Sequence, residues 1–215
     1  AVGAATSPLE AAAAQVRLRL HSPPPPGRSA PRHGCYQGLN ARMSAWLYCG
    51  SAEEVVTAVG SGEKHVAMKW GIRLTDADVE RIAQHLGKVE GLILYKSHIT
   101  DVGTAKLAEA LLAPMVSLTK LDLSGNHITD AGATVLAEAV ARSTSLCELY
   151  LSSNQITDVG AAALAAAAAR SSSLRELHLH RNRLTDVGAT ALADLVERSP
   201  TLTGLFAGYN AMTDN

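Results

Sequence analysis

The stretch LTKLDLSGNHITDAGA, Leu118–Ala133, decides how the rest of the chain is read. Leu121 and Leu123 alternate with polar residues, as one face of a short strand requires. Asn126 follows in a turn, and Thr129-Asp130 stands where a helix begins. Either residue suits the N-cap, and an acid in that first turn also meets the positive end of the helix dipole. Gly132, Leu136 and Val140 then share one helix face, while Thr134, Glu138 and Arg142 share the opposite one.

Outward from this stretch the pattern repeats every 28 residues. Leu118, Leu146, Leu174 and Leu202 recur at that spacing, as do Asn126, Asn154, Asn182 and Asn210, and Asp130, Asp158, Asp186 and Asp214. One unit earlier the period is 29, with Leu92, Leu94, Ile99, Asp101, Gly103 and Leu107 in matching places. A degenerate unit precedes it, where Leu74-Thr75-Asp76 and Ile82 keep the helical half. One strand and one helix cannot bury their apolar faces alone, but stacked copies can. Parallel strands lie about 4.7–4.9 Å apart and packed helices about 8–10 Å, so stacking both curves the array with strands inside. The fold class predicted is an α/β right-handed solenoid, with a parallel inner β-sheet and outer α-helices.

The L-x-x-L-x-L-x-x-N core, the 28/29-residue period and the ITDxGA helix start resemble the ribonuclease-inhibitor-like leucine-rich repeats. That group includes the repeat regions of NOD-like receptors and of Ran GTPase-activating proteins. The resemblance covers Leu74–Asn215. It implies that Asn126, Asn154, Asn182 and Asn210 form a structural ladder, each side chain bonding backbone in the turn after its strand. Ser97 stands in the ladder position of the first full unit and interrupts it. The resemblance also implies protein binding on the concave face.

The chain has three parts by organisation. Residues 1–20 hold a short helix over Pro8–Leu20, started by Ser7-Pro8-Leu9-Glu10. Residues 21–50 contain the linker-like run Pro23–Pro26 and a stretch without clear periodicity. Residues 51–215 form the repeat domain, with 51–86 as a degenerate cap and 87–215 as repeats. The cap opens with Ser51-Ala52-Glu53-Glu54, a capping-box pattern whose helix ends near Gly60. The last unit has its strand without its helix. Its apolar edge is therefore expected to meet further repeats, a partner or a second copy.

Composition narrows the function. With 19 basic and 20 acidic residues the formal charge is −1, so no global field draws the chain to nucleic acid or an anionic membrane. No apolar run is long enough to span a bilayer. Cys35, Cys49 and Cys147 are an odd set without framework spacing, which suits reduced thiols and a cytoplasmic setting. No phosphate-loop, zinc-protease or nucleophile-elbow motif occurs. Periodic carboxylates belong to helix starts; a catalytic acid would be expected once.

Between the strand leucines lie the positions that face out of the inner sheet. They include Tyr95, Asp122, Glu148, Tyr150, Glu176, His178, His180 and Phe206. Exposed aromatics are typical binding anchors. Tyr95, Tyr150 and Phe206 are expected to anchor a partner, with Asp122, Glu148, Glu176 and His178 setting its charge preference; mutual packing of the rings is the plainer reading. His178 and His180 project from one side near Glu176 and Glu148, an arrangement that zinc could use but that ordinary variation at exposed strand positions explains more simply. No metal or cofactor is assigned. The function predicted is a non-catalytic protein-binding scaffold or adaptor. Regulation of a Ran-type GTPase and a structural role in a cytoskeletal or ciliary assembly are the alternatives.

Overall fold

The structure, a computed structural model, describes residues 46–69 and 71–212. The expected helix over Pro8–Leu20, the proline run, Cys35, Trp70 and Asp214 lie outside the described residues. Strands and helices alternate: β1 (Leu47–Cys49), α1 (Ala52–Ser61), β2 (His65–Met68), α2 (Asp76–Ala83), β3 (Gly91–Ile93), α3 (Asp101–Leu111) and β4 (Lys120–Asp122). Then come α4 (Asp130–Arg142), β5 (Glu148–Tyr150), α5 (Asp158–Ala168), β6 (Glu176–His178), α6 (Asp186–Arg198) and β7 (Gly204–Phe206). The seven strands form one parallel sheet in sequence order, with the helices outside it, and the whole is an arc.

The repeat period becomes cross-strand register. Leu92, Leu121, Leu149, Leu177 and Leu205 pair in one row along the sheet. These leucines are all buried, as are Leu94, Leu123, Leu151 and Leu179 two residues further on. From the other side Leu107, Leu136, Leu164 and Leu192 of the helices meet them in one continuous core. Each such burial contributes about 1.5–3 kcal/mol. In α5, Ala161, Ala165 and Ala168 are buried where longer side chains would hold neighbouring helices apart.

Thr100, Thr129, Thr157 and Thr185 are the N-caps, each accepting from the backbone N–H two residues on. The following aspartates act on the next unit, beyond any effect on their own helix dipole. Asp101 accepts from Thr129 N, Thr129 Oγ1 and Gly132 N at 2.8, 2.6 and 3.0 Å. Asp130 does the same to Thr157 and Gly160, and Asp158 to Thr185 and Gly188. Glycine is required where the carboxylate comes this close. A Cβ on Gly160 would lie 2.6 Å from Asp130 Oδ1.

A second ladder runs through the turns after the strands. Asn154 Nδ2 donates to Leu123 O and Leu151 O, both at 3.0 Å, while its Oδ1 accepts from Ile128 N at 3.1 Å. Asn126, Asn182 and Asn210 repeat these bridges to the preceding unit. The interruption at Ser97 leaves its turn satisfied, because Asn126 Oδ1 accepts from both Ser97 N and Ile99 N.

The sheet reaches further toward the N-terminus than the periodicity indicates. β1 falls inside the 21–50 segment, and β2 inside the degenerate cap, so the parallel pairing starts before residue 51. In the cap helix, Ser51 accepts from Glu54 N as expected. Glu54 reaches Gly50 N instead of closing a capping box. Both halves of such a box occur in α2, between Thr75 and Asp78.

Candidate interaction face

Short strands in fixed register turn alternate positions into rows of side chains on the face away from the core. One row runs His65, Gly91, Lys120, Glu148, Glu176, Gly204. The other runs Ala67, Ile93, Asp122, Tyr150, His178, Phe206. The first row carries Lys120, Glu148 and Glu176, and the second carries the rings of Tyr150, His178 and Phe206 beside Asp122.

In the ring row, Tyr150 stacks on His178 with centroids 4.0 Å apart and planes 18° from parallel. His178 stacks in turn on Phe206 at 4.2 Å and 18°. The imidazole is therefore held between two aromatic rings from the adjacent strands. His180 borders this stack edge-on, 6.3 Å from His178 and 6.0 Å from Phe206. All four rings are half-buried.

The charge row is wired to the ring row. Lys120 pairs with Glu148, and its Nζ also donates to Tyr150 Oη at 3.0 Å while standing 4.2 Å from the Tyr150 ring centre. Tyr150 Oη lies 3.0 Å from Glu148 Oε2 and 3.4 Å from Glu176 Oε2, so its single proton is shared between two acceptors. His178 Nε2 completes the set, 3.2 Å from the same Glu176 oxygen.

Burial pushes the Tyr150 phenol up, and the carboxylates of Glu148, Glu176 and Asp122 push it the same way, so it remains a donor. Burial between the rings pulls His178 down to about 4 against the opposing pull of Glu176. At neutral pH the His178–Glu176 contact is consequently a hydrogen bond from a neutral imidazole. Burial lowers His180 as well, although the Gly208 carbonyl opposes it. For Glu148, burial acts upward but the Lys120 hydrogen bond and charge outweigh it, leaving the carboxyl below its ordinary range.

The structure thus brings together Glu148, Tyr150, Glu176, His178, His180 and Phe206 from the sequence-derived set. It does not bring Tyr95 into the stack. Tyr95 follows β3, beside the left-handed Lys96, and lies against the Gly125 turn. Asp122 occupies the ring row but is only 6% exposed, with its carboxylate accepting from Ser124 N at 2.8 Å. It belongs to the floor of the face. Asn126, Asn154, Asn182 and Asn210 serve the turns, as described above.

Two participants stand outside the binding set read from sequence, although alternation already puts Lys120 on this face. Lys120 is the cation at the centre of the network; its signal was a lysine at the position where the next two units carry glutamate. Trp46 lies across the N-terminal end of the charge row. Its ring is 5.1 Å from that of His65 and would meet a Cβ placed on Gly91 at 2.6 Å. It stands in a segment without periodicity, which offers no sequence signal.

A family model described as "Leucine Rich repeat" matches residues 115–137, 142–165 and 170–193. The alternation from β4 to α6 is therefore that of leucine-rich repeats, which are generally protein-interaction modules. Among solved structures, "Leiomodin-1 Actin-Binding Site 2 (ABS2)" is similar with a TM-score of 0.54 and 24% identity. The likeness covers 60% of this chain and 76% of that one. At that identity the likeness shows the fold alone. A comparison with curated proteins finds no match. Among the described residues, no helix is long and apolar enough to cross a membrane.

Proposed function

We propose that this leucine-rich-repeat arc is a non-catalytic scaffold or adaptor whose protein partner docks on the strand face around Tyr150, His178 and Phe206. The observation that carries the reading is the continuous ring stack across β5, β6 and β7, flanked by Glu148 and Glu176. Three half-buried rings fixed by neighbouring strands lose little conformational freedom when a partner covers them, which is the property of a binding anchor. The polar groups there are committed to one another, and the Tyr150 phenol is driven away from ionisation. That suits recognition better than proton transfer.

The test is partner capture by the intact chain against a Tyr150→Ala/Phe206→Ala double variant, with circular dichroism and thermal melting to verify folding. Loss of a specific captured protein in the folded variant supports this face. Undiminished capture by the folded variant overturns it.

A further inference from the structure

We propose that the partner presents an arginine side chain to Glu176, beside the ring stack, so that this face recognises a basic protein segment. The proposal rests on the strand face being the binding surface and states what chemistry fits it.

The first observation lies one strand away. At β4 and β5 the chain builds an acid-plus-ring unit and fills it itself. Lys120 Nζ pairs with Glu148 and stands 4.2 Å from the centre of the Tyr150 ring. At β6 the same two strand positions again hold an acid and a ring, Glu176 and His178. The position equivalent to Lys120, on the preceding strand, is Glu148, and that on the next strand is Gly204, so neither neighbour in the charge row supplies a lysine or arginine. Among the described residues, Glu176 has no ion pair with a lysine or arginine. Its only contact of that kind is the imidazole of His178.

The second observation is that Glu176 is held ready. Its Oε2 faces Tyr150 Oη at 3.4 Å and His178 Nε2 at 3.2 Å, which fixes the carboxylate, while the side chain stays 39% exposed. Both contacts are hydrogen bonds from neutral groups and leave the negative charge in place. Phe206 leans over Gly204 toward this carboxylate: its Cε2 lies 2.9 Å from where a Gly204 Cβ would be, and Glu176 Cγ lies 3.3 Å from the same point. An anion beside an aromatic ring is the arrangement that a planar guanidinium satisfies, pairing with the one and lying against the other. Across both rows the charges sum to −2, from Asp122, Glu148 and Glu176 against Lys120, so the face favours a cationic partner. Two residues after Tyr150, past the end of β5, Ser152 Oγ is a buried hydroxyl without a hydrogen-bond partner.

The experiment uses the full chain and a fluorescein-labelled arginine–glycine repeat peptide, read by fluorescence anisotropy, beside lysine–glycine and glutamate–glycine peptides of equal length. The arginine peptide is expected to bind saturably, more tightly than the lysine peptide, with the glutamate peptide inert and affinity falling as salt rises. Glu176→Gln should weaken binding roughly tenfold, since it removes a charge pair at a partly desolvated site. Glu138→Gln, on the exposed side of α4, should leave it unchanged. Histidine ring NMR signals of the unmodified protein supply a readout independent of any variant. The arginine peptide should move His178 and leave His98 and His127 in place. Unchanged affinity in Glu176→Gln, equal binding of the glutamate peptide, or shifts confined to His98 and His127 would overturn the proposal. If the arginine peptide does not bind while the ring variant still loses its captured partner, the face stands and the cationic occupant falls.

Discussion

Replacing Asp130 by alanine separates two roles for the aspartate that opens the helices from α2 to α6. If it served only the dipole of α4, its loss would cost about 0.3–1 kcal/mol. In the structure its carboxylate also accepts from Thr157 N, Thr157 Oγ1 and Gly160 N at 2.7, 2.6 and 2.9 Å, all in the following unit. Hydrogen bonds to a charged group are worth about 1.5–3 kcal/mol each when buried. Asp130 and Thr157 are half-buried, whereas Gly160 is buried and its N–H would lose its acceptor. Discounting the two solvent-reachable donors leaves a loss of about 3 kcal/mol for Asp130→Ala. For a chain of this length that lowers Tm by about 6–12 °C, taking about 2–4 °C per kcal/mol. Urea unfolding followed by circular dichroism, with calorimetry for Tm, measures it. Asp130→Asn keeps an acceptor for the two backbone donors and should lose about half as much. Because the partner lies in the next unit, Asp130→Ala and Thr157→Ala together should destabilise less than the sum of the single changes. A loss below about 1 kcal/mol in Asp130→Ala would return the residue to a dipole role and refute the inter-unit ladder.

Asn154→Ala strips two backbone carbonyls and one backbone N–H of their partners at a site 7% exposed, and should cost about 3 kcal/mol or more in urea unfolding. Gly160→Ala should destabilise, although alanine ordinarily gains about 1 kcal/mol over glycine inside a helix. The new Cβ would lie 2.6 Å from Asp130 Oδ1 and 2.8 Å from Ile156 Cγ2, so a rise in Tm would contradict the packing. Stability should fall on acidification in two stages. His178 is depressed from 6.5 to about 4, so the unfolded chain binds its proton first and stability drops as pH passes from 6.5 to 4. Asp78 and Asp158 are held below the ordinary carboxylate range, the first mainly by the Thr75 hydroxyl. In Asp158 the upward push of burial is outweighed by Thr185 and Gly188. Their contribution is present above the unfolded carboxylate pKa and is lost as pH falls through the folded one. Thermal melts across pH should show both legs, and His178→Phe should flatten the first.

What could be read from the sequence was what each unit repeats within itself. The leucine rows, the strand–helix alternation, the threonine-aspartate helix starts and the apolar faces of the helices follow from local period. The partner of Asp130 did not follow, because a carboxylate at a helix start already has a local explanation. Yet the glycine two positions after Asp101, Asp130, Asp158 and Asp186 recurs at the same period, and the approach of the preceding unit's carboxylate, joined at Gly103, Gly132 and Gly160 by an isoleucine methyl of the same unit, accounts for it. β1 and β2 escaped because Leu47–Cys49 and His65–Met68 lack the L-x-L-x-x-N signature; they are strands through pairing with their neighbours. For the face, alternation placed Tyr150, His178 and Phe206 correctly in one row. Tyr95 stands two residues past β3, before the left-handed Lys96, as His180 stands two residues past β6, before the left-handed Arg181, so the two share a repeat position three units apart; Asp122 lies in the ring row with its carboxylate turned back to Ser124 N. Alternation assigns a face; it does not say what the backbone does at the strand's end.

The ring stack shows why folding and recognition can be read apart in this architecture. Adjacent strands lie about 4.7–4.9 Å apart, close to the distance at which planar rings pack face to face. Rings at the same position of consecutive strands therefore meet without adjustment of the backbone. The observed centroid distances of 4.0 and 4.2 Å are reached by a small lean of the side chains. A stack in this row makes no demand on the leucine, asparagine or aspartate ladders, and those ladders place no demand on which residues fill the row. The rings are nevertheless coupled to one another, since His178 touches both Tyr150 and Phe206. Removing Phe206 uncovers the imidazole and weakens the desolvation that keeps it neutral. The His178 proton affinity should then rise toward its ordinary value, bringing a positive charge beside Glu176 at mildly acid pH. A change on β7 thereby alters the charge presented two residues from Glu176, so the three rings and the acid are electrostatically coupled.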